Sequence, residues 1–354
     1  MFEPQVTVII DTYNYGCFIE EAIDSVLAQD FPADRMEILV IDDGSTDDTP
    51  ERVKKYGSSI QYLRKPNGGQ ASALNFGFAR ARGKIIALLD GDDYWLPDKL
   101  RTVVAEFEKY QETGLVYHPL REYLVKTGEF REPAFTPVSG FLPSDIKKAI
   151  LFDWMFTSSI SFRRDILQQL LPIPEGLRIQ ADGYLCVLAM FLAPIAAIDR
   201  PLGIYRIHGN NLFSRNTEDA DANRLRLHRR IESSREMVKG LKSWLESHGY
   251  DLRQPTVRAM LLRWTIMSER DEFELAPPGR IKFFRHLLKS YRLSSPLMTA
   301  RIRTVNYFNA IGALIVGYER FRILDESREK ASRWLRHDNP LSSYFRHKSV
   351  RREI

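Results

Sequence analysis

The chain has 354 residues, 44% of them hydrophobic and 27% charged, which excludes a disordered chain and allows one large domain or two ordinary ones. A formal net charge of +5 is too small to argue for a nucleic-acid partner, and two cysteines, Cys17 and Cys186, exclude a disulfide framework. No uninterrupted apolar run approaches the roughly 20 residues that span a bilayer. The N-terminus enters an apolar run without the basic start of a signal peptide, so a cytoplasmic protein is expected, with association at the inner face of the plasma membrane left open.

Val6 to Ile10 is β-branched and reads as a buried strand, and Phe18, Ile19, Ala22, Ile23, Val26 and Leu27 recur at helical spacing after it. Glu37 to Ile41 is the next strand. Thr49 and Pro50 then predict a helix N-cap followed by proline in the first turn. Ile60 to Leu63 is a third strand, the turn Asn67-Gly68-Gly69 opens a helix running to about Ala81, and Lys84 to Leu89 is a fourth strand. Strands alternating with helices of this length predict an α/β fold with a mainly parallel sheet flanked by helices. Ligands of such sheets bind beyond the carboxyl ends of the strands. After about Ser214 the pattern is helical throughout, over 219–247, 253–270, 278–291 and 296–324, and from 327 on the chain is basic. The expected organisation is a domain over 1–215, a helical region over 216–326 and a basic tail over 327–354.

Three strands end in acidic clusters: Asp11 before Thr12-Tyr13-Asn14, Asp42-Asp43-Gly44, and Asp90-Gly91-Asp92-Asp93. One Asp-Gly is ordinary turn chemistry, but carboxylates gathered on one rim repel unless a cation neutralises them. In an extended segment i and i+2 share a side, so Asp90 and Asp92 can meet one Mg²⁺ or Mn²⁺, whose other ligands would be phosphate oxygens and water. The alternative is a solvated turn.

The stretch Val6 to Asn14 followed by Ala22 to Gln29 resembles the opening of the family 2 glycosyltransferases, which have the GT-A fold. Ile41-Asp42-Asp43-Gly44-Ser45 resembles their nucleotide loop, and Asn67 to Asn75 with Leu89 to Asp98 resemble the helix and metal motif that follow. The match is specific over about 5–100, looser to 215, and does not cover the helical region. It implies an inverting transfer of sugar from a nucleotide diphosphate sugar, with UDP favoured, to a carbohydrate or lipid-linked acceptor. Implied donor contacts are Asp11, Tyr13 (stacking near the base), Asp43 (nucleoside), Asn67, Gly69, Asn75, Asp90, Gly91 and Arg206. Implied metal ligands are Asp90, Asp92 and His208.

The family's helix-opening Asp resembles Gln180-Ala181-Asp182-Gly183, which implies Asp182 as the base that takes the acceptor proton; N-capping is its structural alternative. Tyr205-Arg206-Ile207-His208 resembles the closing segment, where Arg and His meet the diphosphate or metal. Arg206 could equally pair with a sheet-end carboxylate, and His208 could be a structural histidine. Ser158 and Trp154 are implied on the acceptor side. Three positions depart from the family pattern: Asp11 for a proline or small residue, Leu74 for an arginine, and Gln180 for a glutamate.

A nucleotidyltransferase would carry a Gly-rich basic loop after the first strand, where this chain has Asp11-Thr12-Tyr13-Asn14. A dinucleotide-dependent dehydrogenase would carry G-x-G-x-x-G there. A non-catalytic sugar-binding or scaffold protein would be marked by loss of the acidic motifs, and all are present. The apolar stretch within Val305 to Tyr318, flanked by Arg301, Arg303, Arg320 and Arg322, is short for a span. It suits a packed helix or one making peripheral contact with a membrane surface.

Overall fold

The structure, a computed structural model, describes residues 3–132, 136–152, 155–209, 211 and 220–322. The chain divides into two compact units, Met1–Leu275 and Ala276–Ile354. The first unit opens as β1 (Val6–Thr12), α1 (Gly16–Leu27), β2 (Met36–Asp42), α2 (Thr49–Lys54), β3 (Gln61–Arg64), α3 (Gln70–Phe78) and β4 (Ile85–Asp90). It continues through β5 (Tyr94–Trp95), α4 (Lys99–Lys109), β6 (Leu115–Tyr117), β7 (Arg121–Leu124), β8 (Glu129–Arg131) and α5 (Ile146–Leu151). Next come β9 (Ile160–Arg163), α6 (Arg164–Gln168), α7 (Ala181–Leu192), β10 (Ile195–Ala197) and β11 (Gly203–Ile207), then the long helices α8 (Ala220–Ser247) and α9 (Pro255–Leu275). The second unit holds α10 (Arg280–Ser294) and α11 (Ala300–Val316).

Seven strands form one sheet in the order β10-β6-β9-β4-β1-β2-β3. All its pairings are parallel except those that β9 makes with β4 and β6. The apolar runs of β1, β2 and β4 are buried because helices cover the sheet: Val8, Ile10, Val40 and Leu89 join Ile19, Ile23, Val26, Val103 and Phe107 in one core. The chain leaves β1 toward β2 and β3 and returns to β4 on the other side, so the direction of winding switches between β1 and β4. In register, Asp11 lies beside Asp90 and Thr12 beside Asp42. Neighbouring strands are about 4.8 Å apart, so the three acidic strand ends form one continuous rim.

A second sheet, β5-β11-β7-β8, was not legible in the sequence. Its strands are two to five residues long, too short for a two-residue period to show. Thr49 is the first residue of α2 rather than its cap, and the side chain of Asp47 accepts from its N–H at 3.1 Å and its hydroxyl at 2.6 Å. The helix expected over 296–324 is interrupted at Gly317, whose φ of +80° closes α11. The change of character near 215 marks the start of helical structure, but α8 and α9 belong to the same compact unit as the sheet. Gly183 in α7 is one reason: a Cβ there would stand 2.9 Å from the Trp264 ring of α9.

Candidate active site

At the end of β2 the two aspartates face opposite ways. Asp42 is fully buried and accepts from Ser45 N at 2.7 Å and Tyr62 Oη at 2.5 Å, which fixes the turn from behind. Asp43 gathers the segment after β3. Lys65 Nζ donates to it at 2.7 Å, Gly68 N at 2.9 Å and Gly69 N at 2.7 Å, and Asn67 Nδ2 donates to its carbonyl at 3.0 Å. Gly69 has φ +86°, and a Cβ would lie 2.7 Å from the Arg178 Cα, so only glycine fits there. A surface cleft lined by Gly44, Arg64, Lys65, Pro66 and Asn67 opens beside this loop. Asn14, at φ +58°, accepts from Thr46 N at 2.7 Å and ties the end of β1 to the same loop. Tyr13 is 40% exposed, so its ring is presented outward rather than packed in the core.

Residues 90–93 form a turn, closed by Asp93 N donating to Asp90 O at 3.0 Å. Asp90 and Asp92 therefore converge by turn geometry, not by the extended alternation expected from the sequence. One carboxylate oxygen from each of Asp90, Asp92 and Asp93 can lie within 4.8 Å of the others. Gly91 N donates to Asp11 O at 2.8 Å, and a Cβ on Gly91 would press within 2.8 Å of Thr12 Oγ1, which keeps this turn against β1. His208 brings Nε2 to 3.0 Å from Asp92 Oδ2, with Asn211 Nδ2 at 3.4 Å from the same oxygen. Its imidazole rests on Phe18, ring centroids 4.6 Å apart, and meets Tyr15 edge-on at 5.9 Å.

Asp93 points inward. It is fully buried and accepts from Ser158 Oγ at 2.6 Å and Arg206 N at 2.9 Å. Ser158 in turn accepts from Asp90 N at 3.0 Å. The structure thus places Ser158 behind the acidic turn, fully buried, with both bonds of its hydroxyl going to the turn's backbone and to a buried carboxylate. Trp154 lies outside the described residues.

Arg206 is likewise committed inward. Nε donates to Asp92 O at 2.5 Å, Nη2 to Asp93 O at 3.3 Å, and Nη1 pairs with Glu21 of α1. In this structure its fork pairs with Glu21 of α1, a helix carboxylate rather than a sheet-end one, and is flanked by the Phe18 and Tyr94 rings. Asn75 is also occupied: its amide donates to Ile173 O at 2.8 Å and accepts from Ile173 N at 2.9 Å, stapling α3 to the loop before α7.

Asp182 sits in the first turn of α7, after Gln180 in the left-handed region at φ +66°. Gly183 N donates to Oδ1 at 2.8 Å and Thr157 Oγ1 to Oδ2 at 3.3 Å. Gln70 connects this corner to α3, donating to Thr157 Oγ1 at 3.0 Å and accepting from Ala181 N at 3.0 Å. Gln180 is buried, and its amide faces Met267 of α9 at 3.9 Å from the sulfur. Gln70, Lys65 and Asp93 are contributors that sequence reasoning did not assign, and Thr157, in the segment that resembles the family's acceptor side, bonds Asp182 and Gln70. Lys65 and Asp93 stand inside or beside the quoted motifs, but nothing in the linear pattern says which way they point.

The electrostatics of the rim are those of crowded carboxylates out of water. Burial and then the Asp92 charge push Asp11 up to about 7. Burial, followed by Asp11, Asp92 and Asp93, holds Asp90 well above the carboxylate range. Asp93 is raised the same way, by burial and then Asp92. Burial pushes Asp182 up to about 6, against the bonds from Gly183 and Thr157 that favour its ionised form. Asp182 is near enough for its charge to act on both Asp11 and Asp90. Asp11 Oδ1 is buried without a hydrogen-bond partner.

The family model described as glycosyl transferase family 2 matches residues 7–171. An uncharacterised glycosyltransferase of Nostoc sp. is 31% identical over 281 residues, covering 77% of this chain and 85% of the relative. The chain belongs to glycosyl transferase family 2. A second relative, an uncharacterised glycosyltransferase of Mycoplasma pneumoniae, is 35% identical over 164 residues, 41% of this chain and 55% of its own length. Among solved structures, residues 1–349 of Staphylococcus aureus TarS in complex with UDP-GlcNAc superpose with a TM-score of 0.62 at 19% identity, covering 92% of each chain. The mannosyltransferase PcManGT of Pyrobaculum calidifontis, in complex with GDP-Man and Mn²⁺, gives 0.50 at 19% identity, covering 92% of this chain and 84% of that one. These likenesses bear out the GT-A fold, and as a family 2 member the chain is a glycosyltransferase with an α/β sheet domain and a helical C-terminal region. A basic Gly-rich triphosphate loop, the mark of a nucleotidyltransferase, does not stand after β1.

Proposed function

We propose that this glycosyltransferase moves a sugar from a nucleotide diphosphate sugar, UDP-linked by preference, onto a hydroxyl of a carbohydrate or lipid-linked acceptor with inversion. The setting proposed is cell-surface polysaccharide or glycoconjugate synthesis at the inner face of the plasma membrane. The observation that carries the reading is the meeting of Asp90, Asp92 and His208 at the strand ends with Asp182 facing the same rim.

A divalent cation fits these residues. The donors are hard carboxylate oxygens with one imidazole, the set that suits Mg²⁺ or Mn²⁺. The raised carboxyls of Asp11 and Asp90 and the unpartnered Asp11 oxygen belong to a rim short of positive charge. Asp90 and Asp92 would hold the ion, with His208 beside them, and when bound it would take up charge on the departing diphosphate.

The chain's own groups then divide the work. Tyr13 offers an exposed ring to a nucleobase. Asp43 shapes the nucleotide side by holding Lys65, Gly68 and Gly69, so Asn67 and Gly69 serve the donor through loop geometry. Arg206 and Asn75 act from behind, the first by bracing the acidic turn and the second by fixing α3. Asp182, raised to about 6, is ionised at neutral pH yet basic enough to accept the proton of an attacking hydroxyl. In-line attack would leave the nucleotide diphosphate bound at the rim and the new bond on the opposite face of the sugar.

A panel of UDP-, GDP- and dTDP-linked sugars, each with and without Mn²⁺, tests this by binding and by donor hydrolysis. Metal-dependent binding and slow hydrolysis of one class supports it. Metal-independent behaviour would remove the cation, binding without turnover would favour a sugar-binding protein, and no binding at all would sink the donor reading.

A further inference from the structure

We propose that the exposed face of α11 docks on an anionic lipid bilayer. α11 runs for 17 residues, about 25 Å at 1.5 Å per residue. It starts at Thr299, whose hydroxyl accepts from Ile302 N, and stops at Gly317. Its small residues Ala310 and Ala313 are fully buried. Opposite them, Thr304, Phe308, Ile311 and Ile315 recur at i, i+4, i+7 and i+11, with Val305 and Tyr307 on either side. The apolar members are largely exposed: Phe308 by 69%, Ile315 by 67%, Tyr307 by 62%, Val305 by 51% and Ile311 by 48%. A helix normally buries such a stripe, and this one instead buries alanines and shows its large side chains to solvent.

The occupant is indicated by charge. Residues 276–354 carry 17 Lys and Arg against 6 Asp and Glu, whereas residues 1–275 carry 34 against 40. Among the described residues of the second unit, 276–322, the ratio is nine to one, Glu319 being the single acid. Arg301 and Arg303 in the first turn and Arg320 just past the last bracket the apolar stripe and are exposed. Aliphatic and aromatic groups entering the acyl boundary, with arginines reaching phosphate headgroups, is the arrangement of an interfacial helix. Acidic protein or nucleic acid would satisfy the arginines but leave the stripe wet. No helix among the described residues is long and apolar enough to cross a membrane, so α11 would lie along the surface. The inference deepens the proposed function by naming the surface where a lipid-linked acceptor is met, and it rests on that reading only for its purpose.

The test is flotation of the full chain with vesicles of phosphatidylcholine alone or mixed with phosphatidylglycerol, without any sugar transfer, so it fails or succeeds apart from the donor chemistry. The chain should float with the anionic vesicles only and be largely released in about 0.5 M salt, where the Debye length shrinks to a few ångströms. Phe308→Ser/Ile311→Ser/Ile315→Ser should lower partitioning about tenfold or more, with far-UV circular dichroism and donor binding unchanged. Should that variant misfold, Arg301→Gln/Arg303→Gln/Arg320→Gln is expected to lose about fivefold per arginine. Absence of the wild-type chain from anionic vesicles would overturn the proposal. So would equal binding by either folded variant, or a self-associating chain whose assembly alone is lost in the serine variant.

Discussion

His208 Nε2 stands 3.0 Å from Asp92 Oδ2, while the same ring lies flat enough on Phe18 to be fixed at a 32° tilt, so the imidazole reaches the acidic rim already oriented. Removing either partner should damage one property. Asp92→Asn is expected to weaken Mn²⁺ binding by more than the roughly 10–100-fold typical of losing an outer-shell partner, and His208→Ala by about that range. Calorimetric titration with Mn²⁺ alone reads it. Wild-type affinity in Asp92→Asn would take this pair out of the metal site.

Burial keeps Asp182 at about 6, where an unfolded aspartate titrates near 3.9. The rate of transfer should therefore fall about tenfold per pH unit below 6 as the base becomes protonated. Stability runs the other way: the contribution is fully present below about 4 and is lost as pH rises through 6, because only the folded state holds the proton in that window. Asp182→Asn should abolish transfer and yet raise thermal stability of the metal-free protein at pH 7, by at most about 3 kcal/mol. Calorimetric scans of both proteins at pH 4 and pH 7 check this; a difference that grows toward pH 4 contradicts the burial argument.

Gln70 touches Asp182 only through Thr157 and the Ala181 amide, so it is a positioning residue. Gln70→Ala should reduce kcat by up to about 100-fold with little change in KM for the donor, and Thr157→Val should behave alike. A loss confined to thermal stability, with kcat intact, would leave this corner a structural joint only.

Gly69→Ala must place a Cβ 2.7 Å from the Arg178 backbone at φ +86°. Strain of this kind costs about 1–3 kcal/mol, read from urea midpoints. Nucleotide binding should weaken with it, since Asp43 loses the Gly69 amide if the loop shifts. An unchanged midpoint would show that the 65–69 loop tolerates a wider turn.

The rim itself was legible in the sequence. Strand ends marked by Asp11, Asp42-Asp43 and Asp90 are local signals, and parallel pairing brings them together without further information. What stayed hidden depends on partners far apart in the chain. Ser158 meets Asp93 across 65 residues, Gln70 meets Ala181 across 111, and Arg206 reaches Glu21 across 185. No residue type announces such a partner, and an arginine or serine in a matching motif reads the same whether it faces a ligand or the back of a turn. The direction of Asp93 was hidden for a related reason: alternation applies to strands, and residues 90–93 are a turn.

Asp93 also decides where two members of this family could be recombined. A crossover near residue 100, at the edge of the stretch with the strongest motifs, would take Asp93 from one parent and its donors, Ser158 and the Arg206 amide, from the other. Any slip in β9 or β11 would then leave a fully buried carboxylate without a partner. Joining the parents beyond residue 211 keeps the turn and all its supports from a single source. The segment that can be exchanged is thus about twice the length of the segment that is easily recognised.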